Sequence, residues 1–553
     1  MTNMDKKVID IKTSRNILIP RLDTFGDIVL LEGFISALLD YLPEARITIL
    51  VRKGYEQLAP LFPERLIWKT TAMHPYKKPS NLPEIKALLQ ELVDASYDLL
   101  LVTTYSRTWP DDLLASVLIS SRRIVLGEAK DMIVAASGIL SDLDIAFPES
   151  LYDENIPVDE KSHETEKYQA LWKSIAGEDN QVPLPKLNVP DSEIKKAQEL
   201  IVSVGLKEGA FVFCFPAGVS NVSLKTWPEE NFAQVIACLE KTYSLKTFVI
   251  AHESEKNIVD KVVQLANVQG AAPAVWLGRD GDIPLVSALI AKSYFYLGND
   301  TGMMHIAAAL DKPVVAIFGG GTWPRFLPAA SWGIVFTQEL PCSYCMWNDC
   351  WLADAPCIKM VSVNDVIESI ERLLKGIVNR VEIHQGLSFE KLRPYYNKAM
   401  EMRQDRDNAV AEIHKRDAQI ASLNQAVSER NSQIASLNQD MAGLYMQIAN
   451  LNQQLNTINN QLDRIFASKS WILTKPFRFI RRSLSTQIYR PIYSKLCYCT
   501  KLIWRHLPLT SFNKQRLKNT LFQKLPIVFG RTNAYRNWQK QNPNSGIPSN
   551  QSS

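Results

Sequence analysis

Residues 298–305 read Gly-Asn-Asp-Thr-Gly-Met-Met-His and separate two apolar segments. Tyr294–Leu297, before them, predicts a buried strand, and Ile306–Leu310, after them, predicts a helix. The polar turn therefore follows the carboxyl end of a strand and opens a helix. In open α/β sheets ligands bind at this edge, and the free N–H groups of the helix favour an anion.

Four residues of this turn are candidate ligand contacts. Asp300 or Thr301 can cap the helix. Gly302 permits close approach of a ligand, and His305 falls in the first helical turn. Taken alone, the stretch is equally compatible with an ordinary capped helix whose histidine is satisfied by hydrogen bonds.

The strand–turn–helix pattern recurs through residues 16–374. Strands are predicted at 16–20, 47–51, 66–68, 98–104 and 123–127, and again at 211–217, 246–251, 274–277, 294–299 and 313–318. Helical patterns separate these strands, and a polar, proline-containing stretch at about 150–190 separates the two series. The alternation predicts an α/β fold with two parallel, doubly wound sheets whose ligand-binding edges face one cleft.

A second candidate turn follows the first predicted strand. In Arg21–Asp27, the residues Thr24, Gly26 and Asp27 open a helix, so this turn also belongs to the ligand edge of a sheet. It lacks the GxGxxG fingerprint, which counts against a tightly bound dinucleotide.

Two further candidates follow strands of the second series. Lys225 precedes a helix that starts at Pro228, so the ammonium group and the helix N-terminus can meet a phosphate together. A solvated lysine is the alternative. Glu253 stands where a carboxylate can hold ribose hydroxyls, and a simple helix cap is the alternative there.

The charge is distributed unevenly along the 553 residues. From Ser468 to the end there are 16 Lys plus Arg and no Asp or Glu, which leaves 46 basic against 58 acidic residues before it. The sequence therefore predicts an acidic globular body with a basic appendage. No apolar run approaches about 18 residues, the length of a membrane span, and Met1–Lys12 is polar, so we expect a cytoplasmic protein.

Eight cysteines in so long a chain do not form a disulfide framework. Four of them follow the pattern Cys342-x2-Cys345-x4-Cys350-x6-Cys357, a spacing compatible with zinc. The alternative is a reduced, cysteine-rich loop packed by nearby tryptophans. The irregular spacing and the lack of a second CxxC favour this alternative, so no metal ligand is assigned.

Three motifs occur in the order in which a known family has them. They are Arg21-Leu-Asp-Thr-Phe-Gly26-Asp27, Lys225-Thr-Trp-Pro228 and Asn299-Asp-Thr-Gly-Met-Met-His305, with Pro313-Val-Val-Ala-Ile-Phe-Gly319 after them. Over about residues 14–378 the chain resembles glycosyltransferase family 9, the ADP-heptose:lipopolysaccharide heptosyltransferases. The resemblance implies a GT-B fold, in which two Rossmann-like domains face a cleft and the C-terminal domain binds the donor.

The resemblance also implies inverting, metal-independent transfer of heptose or a similar sugar, without a cofactor, from a nucleotide sugar such as ADP-heptose to a lipid-linked saccharide. Asp27 matches the family's catalytic aspartate, and inversion suits a carboxylate that takes the proton of the attacking hydroxyl. Its alternative is an acid favoured by the helix dipole. Asp23 and Glu32-Gly33 depart from the usual pattern and leave the identity of both substrates open.

The other motifs match the donor side of the family. Lys225 and the N–H groups at Thr301 and Gly302 can stabilise the departing diphosphate, to which His305 can add one hydrogen bond. A carboxylate would repel phosphate, so Asp300 is expected to cap the helix or to accept hydrogen bonds from sugar hydroxyls.

A seven-residue repeat begins after residue 400. Ile420, Val427, Ile434, Met441, Ile448, Leu455 and Leu462 form one seam, and Leu423, Arg430, Leu437, Leu444, Leu451, Ile458 and Ile465 form the other. This pattern predicts a coiled coil, and Ile or Val at the first seam with Leu at the second favours a parallel homodimer. A single long helix folded back on the body is the alternative.

The basic tail mixes its charges with twelve aromatic residues. Residues 468–478, Ser-Lys-Ser-Trp-Ile-Leu-Thr-Lys-Pro-Phe-Arg, resemble a segment found beside coiled coils in bacterial polysaccharide glycosyltransferases. Basic and aromatic residues together suit an anionic membrane surface, so we expect peripheral binding to the inner face of the plasma membrane. A nucleic-acid binder needs the same charges, but no motif of such proteins is present.

The sequence therefore predicts four regions. They are an N-terminal Rossmann-like acceptor domain (14–180), a C-terminal nucleotide-sugar domain (190–378), a coiled coil (400–467) and a basic aromatic tail (468–553). The predicted function is a glycosyltransferase that builds lipopolysaccharide or surface polysaccharide. A catalytically inactive transferase-like scaffold that acts through its coiled coil is the alternative.

Overall fold

The computed structural model describes residues 10–79, 81–127, 142–143, 145, 150–218, 222–345, 350, 352, 355–385, 389–467, 511–524 and 533–541. The described residues up to Ser422 form one compact unit, and those from Leu423 onwards form another. The first unit contains two parallel sheets, so the predicted α/β class is confirmed.

The first sheet has the strand order β3-β2-β1-β4-β5-β6, and all its strands are parallel. Its strands are β1 (Asn16–Pro20), β2 (Arg46–Arg52), β3 (Leu66–Thr71), β4 (Leu99–Val102), β5 (Arg122–Leu126) and β6 (Glu154–Ile156). The connections contain α1 (Phe25–Tyr41), a 3-10 helix (Tyr55–Leu61), α2 (Leu82–Asp94) and α3 (Trp109–Val117). The direction of winding reverses between β1 and β4.

The second sheet has the order β13-β12-β11-β10-β7-β8-β9, again all parallel. Its strands are β7 (Phe211–Phe215), β8 (Lys246–His252), β9 (Ala274–Gly278), β10 (Phe295–Asn299), β11 (Val314–Ile317), β12 (Gly333–Thr337) and β13 (Val381–Gln385). Between them lie α6 (Glu229–Tyr243), α7 (Lys256–Val268), α8 (Ile283–Lys292), α9 (Gly302–Ala309), α10 (Pro356–Lys359) and α11 (Val363–Leu374). The winding reverses between β7 and β10.

Both faces of the first sheet are covered, which explains its continuous apolar strands. Ile17 and Ile19 of β1 belong to the core that includes α1, whereas Leu18 points to the opposite core with α2 and α3. The former core continues into the second sheet, so a single apolar network links the two halves. This arrangement is the doubly wound, GT-B-like architecture that the sequence predicts.

Helices α4 (Glu164–Ala176) and α5 (Asp191–Ser203) flank the connection between the sheets. The connection packs on α1, where Lys186 N–H donates to Glu32 Oε2 at 2.6 Å. A β-carbon on Gly33 would lie 2.0 Å from the carbonyl oxygen of Pro183, so this position needs glycine for close approach. The departure at Glu32-Gly33 therefore anchors the segment that joins the two halves.

Helix α12 (Phe389–Ala467) is continuous over 79 residues. The helical part of the coiled-coil prediction is confirmed, and the pairing of two such helices remains a prediction. In the first unit, Ala399 of this helix is buried against Leu340 and Leu352. None of the described helices is long and apolar enough to cross a membrane.

Two helices of the tail are described, α13 (Ser511–Lys524) and α14 (Asn533–Gln541). The rings of Phe522 and Trp538 pack edge to face with centroids 5.7 Å apart, and Trp538 Nε1 donates to Asn519 Oδ1 at 2.9 Å. These two aromatics therefore stabilise the contact between α13 and α14. The predicted interface segment 468–478 and the aromatics at 471, 477, 479, 489, 493 and 504 lie outside the described residues.

Candidate active site

The candidate residues follow strands at which the winding of a sheet reverses. The turn with Asp27 follows β1, beside β4, and the turn with Asp300 follows β10, beside β7. Crevices form at such reversal points because the flanking helices depart to opposite faces of the sheet. The candidate site therefore includes the crevice of the first sheet and the crevice of the second.

Asp27 is the third residue of α1, and its carboxylate accepts hydrogen bonds at the start of this helix. Its Oδ2 accepts hydrogen bonds from the Thr24 N–H at 3.1 Å and the Thr24 hydroxyl at 2.6 Å. Its Oδ1 accepts from Arg21 at 3.3 Å. The side chain is 8% exposed. Two of the three donors belong to the N-cap residue Thr24, so Asp27 completes a capping box at the start of α1, and Arg21 orients its other oxygen.

Arg21 is fully buried and is shared by several carboxylates. One of its terminal nitrogens, Nη2, lies 2.9 Å from Asp23, 3.3 Å from Asp27 and 3.6 Å from Glu164. Its other terminal nitrogen donates to the carbonyl oxygen of Thr103 at 2.9 Å. Burial raises the pKa of Asp23 to about 8, against the opposing effect of Arg21. Asp23, the nearest of these carboxylates, therefore competes with Asp27 and Glu164 for the single guanidinium group.

In the second half, Lys225 and Asp300 form an ion pair. Lys225 Nζ lies 2.7 Å from Asp300 Oδ2, and the Thr322 hydroxyl donates to the same oxygen at 3.2 Å. Lys225 belongs to a short 3-10 turn, Ser223–Lys225. The ammonium group expected to be free for a phosphate is therefore already held by a buried carboxylate.

Thr301, not Asp300, is the N-cap residue of α9. Of the two roles expected of Asp300, the helix cap is excluded because its side chain turns to Lys225 and Thr322, and the contact with sugar hydroxyls stays a prediction. The Thr301 hydroxyl makes no cap bond either, because it contacts the Tyr296 hydroxyl at 3.2 Å. The first N–H groups of α9, including that of Gly302, have no acceptor within the helix and can meet an anion.

His305 lies at the meeting point of the two halves. The residue is 4% exposed, and its Nδ1 has no partner among the described residues. Burial lowers the pKa of His305 to about 4, although the negative charges of Asp300 and Asp27 oppose this effect. The ring is therefore neutral near pH 7, and it lies within electrostatic range of Asp27, Asp300 and Lys225 together.

Close packing of glycines brings the two helix starts together. A β-carbon on Gly26 would lie 2.8 Å from Cδ2 of His305, and one on Gly302 would lie 3.2 Å from the backbone nitrogen of Gly26. Both positive helix ends therefore face the same small region. Asn299 fixes the neighbouring loops, since its side chain accepts from Trp227 N–H at 3.2 Å and donates to the Pro216 carbonyl at 2.8 Å.

The contacts described for Glu253 do not join it to this site. It starts a 3-10 turn, Glu253–Glu255, pairs with Arg279 at 3.0 Å and is about half exposed. The neighbouring Glu255 instead contacts a loop of the site, since its Oε1 accepts from the Gly218 N–H at 2.7 Å. The sequence pattern could not distinguish these two acids, because both follow β8.

Glu164 and Arg325 are prominent residues that the sequence analysis did not select. Arg325 Nε lies 2.5 Å from Glu164 Oε1, and both side chains are almost completely buried. Burial would raise the pKa of Glu164, but Arg325, Arg21 and Lys167 together lower it to about 2. The two residues are 161 positions apart, so no local pattern signals their contact.

Cys342, Cys345, Cys350 and Cys357 form no disulfide. Burial raises the pKa of Cys342 to about 11 and that of Cys357 to about 12, and the neighbouring thiols add to both effects. Within the described part of the chain, no three Cys, His, Asp or Glu side chains are arranged as a metal site.

Comparisons with known proteins show which proteins this chain resembles. Residues 146–354 match the model of glycosyltransferase family 9 (heptosyltransferase), a segment that includes Lys225 and Asp300 but not Asp27. Lipooligosaccharide heptosyltransferase 2 of Campylobacter jejuni subsp. jejuni serotype O:2 is 26% identical over 172 residues, which are 31% of this chain and 53% of that protein. Lipopolysaccharide heptosyltransferase 2 of Escherichia coli K12 is 30% identical over 118 residues, which are 21% and 33% of the two chains. The chain spans about half the length, or less, of these curated relatives.

A solved structure shares the fold of the two-sheet body. The glycosyl transferase family 9 protein of Veillonella parvula DSM 2008 is 17% identical, with a TM-score of 0.54. The match covers 67% of this chain and 100% of that one. Residues 146–354 thus carry the sequence signature of a glycosyltransferase family 9 (heptosyltransferase) domain, within a body that has the fold of a family 9 protein.

Proposed function

We propose that this protein is an inverting, metal-independent glycosyltransferase. It transfers heptose or a similar sugar from a nucleotide sugar, such as ADP-heptose, to a lipopolysaccharide or surface-polysaccharide acceptor. One observation carries the proposal: the starts of α1 and α9 meet at Gly26 and Gly302, so that Asp27 and the Lys225–Asp300 pair surround His305. A carboxylate for an acceptor and a cationic site for a diphosphate therefore share one location.

On the acceptor side, Asp27 is the general base. The acceptor hydroxyl gives its proton to the carboxylate as its oxygen attacks the anomeric carbon from the face opposite the nucleotide. Thr24 and Arg21 hold the carboxylate in place, so its orientation is set before the acceptor arrives. Inversion follows from a single displacement with one base opposite one leaving group.

On the donor side, the bond between the anomeric carbon and the phosphate oxygen breaks, and negative charge grows on the diphosphate. The Lys225 ammonium group and the free N–H groups at Thr301 and Gly302 stabilise that charge. These groups supply the positive potential that a metal ion provides in other transferases. The neutral His305 can donate one hydrogen bond, and Asp300 accepts hydrogen bonds from sugar hydroxyls once Lys225 turns to the phosphate.

A screen of nucleotide sugars tests the proposal. We expect the wild-type protein to transfer or slowly hydrolyse one of them, and Asp27→Ala to lose at least about a hundredfold in turnover, the range for a general base. Asp365→Ala is a matched control, because Asp365 is also an acid in the first turn of a helix, α11. Binding of a nucleotide sugar without turnover by either protein would favour the inactive scaffold instead.

Two further parts of the proposal concern assembly. The seam residues Ile434 and Leu437 of α12 are 54% and 65% exposed, which is unusual for a regular apolar stripe unless a second helix covers it. A second copy of this chain is the proposed partner. The basic tail is proposed to hold the dimer on an anionic membrane surface, where a lipid-linked acceptor would be presented.

The membrane part has its own test. Deletion of residues after 467 should abolish cosedimentation of the protein with vesicles that contain anionic phospholipid, while vesicles of phosphatidylcholine alone should bind neither form. Equal binding of the full chain and the truncated chain would contradict this part. Binding of the full chain to RNA at the salt concentration that releases it from vesicles would favour the nucleic-acid alternative.

A further inference from the structure

Arg325 belongs to the second half of the body but makes its strongest contacts with residues outside that half. It lies on the segment between β11 and β12, where its backbone N–H donates to the Thr322 carbonyl at 2.9 Å. Its side chain reaches Glu164 at 2.5 Å and the Ser106 hydroxyl at 2.9 Å. The Glu164 N–H donates back to the Arg325 carbonyl at 3.2 Å, so the contact is fixed by backbone and side chain together.

From Glu164 the charged contacts lead to the proposed base. The second oxygen of Glu164 lies 3.6 Å from Nη2 of Arg21, and that nitrogen lies 3.3 Å from Oδ1 of Asp27. Glu164 and Arg21 have no exposed surface, so water does not screen these charges. The position of the Arg21 guanidinium therefore depends on the balance between Glu164 and its nearer partners, Asp23 at 2.9 Å and the Thr103 carbonyl at 2.9 Å.

In the other direction, the series of contacts that starts at Arg325 reaches the donor side of the site. Thr322, whose carbonyl accepts from Arg325, donates its hydroxyl to Asp300 at 3.2 Å. Asp300 in turn holds Lys225 at 2.7 Å. A continuous series of hydrogen bonds and ion pairs thus runs from the proposed diphosphate site to the proposed base.

We propose that Arg325 is a positioning residue for Asp27, through which the donor side of the site sets the orientation of the base. This inference rests on the proposed function. Arg325 and Lys167 together neutralise Glu164, and without Arg325 only Lys167 would limit the attraction of Glu164 for Arg21. Asp27 would then lose one of the donors that orient its carboxylate, although Arg325 itself is joined to Asp27 only through Glu164 and Arg21.

Arg325→Met tests the proposal, with release of ADP from ADP-heptose as the measured reaction. We expect kcat to fall about thirtyfold while the KM for the donor stays within about threefold, because the base is misplaced and the donor site is intact. Arg325→Lys keeps the charge against Glu164, so it should recover kcat to within about fivefold of the wild type. The lysine variant also keeps the test valid if the methionine variant folds poorly.

Two comparisons separate positioning from a general structural effect. Arg123 is a matched control, because it is also a nearly buried arginine paired with a carboxylate, Asp153 at 2.9 Å, away from this series of contacts. Arg123→Met should leave kcat within about threefold of the wild type. In an Asp27→Ala background, Arg325→Met should cause no further loss, because residues that act as a unit are not additive.

The outcomes distinguish the inference from the function on which it rests. If wild type and Asp27→Ala release ADP equally fast, the proposed function fails and the inference fails with it. If they differ but Arg325→Met raises KM instead of lowering kcat, or lowers turnover equally in the Asp27→Ala background, only the inference is overturned.

Discussion

Gly26 at the start of α1 lies directly against Gly302 at the start of α9, so that a β-carbon on Gly302 would be 3.2 Å from the Gly26 nitrogen. The two helices come from different sheets, and each is the first helix after a strand at a reversal point. The contact therefore determines how closely the carboxylate of Asp27 approaches the anion-binding end of α9. Any side chain at either glycine increases that distance.

Gly26→Ala tests the importance of this contact. The new β-carbon would lie 2.8 Å from Cδ2 of the buried His305, so the His305 ring or one of the helices must shift. Alanine normally stabilises a helix by up to about 1 kcal/mol relative to glycine, whereas overpacking costs about 1–3 kcal/mol. We expect a net loss of stability in urea unfolding and a loss of donor turnover.

Gly321→Ala, whose β-carbon would have no neighbour within 4 Å, is the control. Wild-type behaviour of Gly26→Ala would show that the helix starts can separate freely.

Substitutions at the two members of the Lys225–Asp300 pair should change ligand binding in opposite directions. At 2.7 Å the buried carboxylate competes with a diphosphate for the ammonium group. Asp300→Asn should therefore tighten the binding of ADP, by about fivefold if the released pair energy is near 1 kcal/mol. Lys225→Met should weaken it by at least about tenfold. Both Kd values can be measured by calorimetry.

The control for this pair is Lys261→Met. Lys261 also forms a salt bridge, with Glu229 at 3.1 Å, but it lies on α7. Its loss should leave the Kd for ADP unchanged. Weaker ADP binding by Asp300→Asn would mean that Asp300 is needed to orient Lys225, which contradicts the competition proposed here.

His305 makes the stability of the fold depend on pH. Burial lowers its pKa from the ordinary 6.5 to about 4, so between these values the unfolded chain binds a proton that the folded chain does not. The free energy of unfolding should thus fall as the pH decreases from 6.5 to 4, by about 3 kcal/mol from this residue. His163 adds an effect of the same sign, because burial also lowers its pKa.

His305→Gln should reduce the pH dependence of urea unfolding, whereas His414→Gln, at an exposed position, should not. An unchanged slope in His305→Gln would show that the imidazole is solvated.

The sequence was informative about the fold where local physics decides the structure. The apolar strands β1, β7, β10 and β11 were recognised because parallel strands that are buried on both faces read as continuous apolar runs. Three strands were missed. β6 has three residues, β13 is an edge strand with polar residues, and β12 is a short apolar run in a loop rich in glycine and proline. These segments form strands because they pair with neighbouring strands, and their own composition favours a strand less.

The candidate site was predictable only in its local parts. Strand-to-helix turns are readable from the sequence, so Asp27, Lys225 and the Asp300–His305 turn were identified. The surrounding buried ion pairs were not, because pairs such as Arg325–Glu164 join positions that only the folded chain brings together. For the same reason the sequence left the role of Asp300 open between a helix cap and a sugar contact. Its choice between capping a helix and pairing with Lys225 depends on where the loop after β7 lies.

The exposed seam of α12 leads to a prediction about assembly. Ile434→Asp places a charge at the centre of the proposed dimer seam, where its burial would be costly, so the full-length dimer should dissociate to a monomer in sedimentation velocity at micromolar concentration. Ser436→Asp, on the polar side of the same helical turn, should remain dimeric. A monomeric wild-type chain, or a dimeric Ile434→Asp variant, would contradict the coiled coil.

The direction of the two helices can be tested at the same position. In a parallel dimer in register, each seam residue lies beside its own copy, so Ile434→Cys should form an intermolecular disulfide under mild oxidation. Leu423→Cys and Leu455→Cys, elsewhere on the seam, should do the same. Antiparallel helices would link at most a residue near the centre of their overlap, because positions away from it face a different part of the partner. Crosslinking at one of the three positions alone would therefore reject the parallel arrangement while leaving the dimer itself intact.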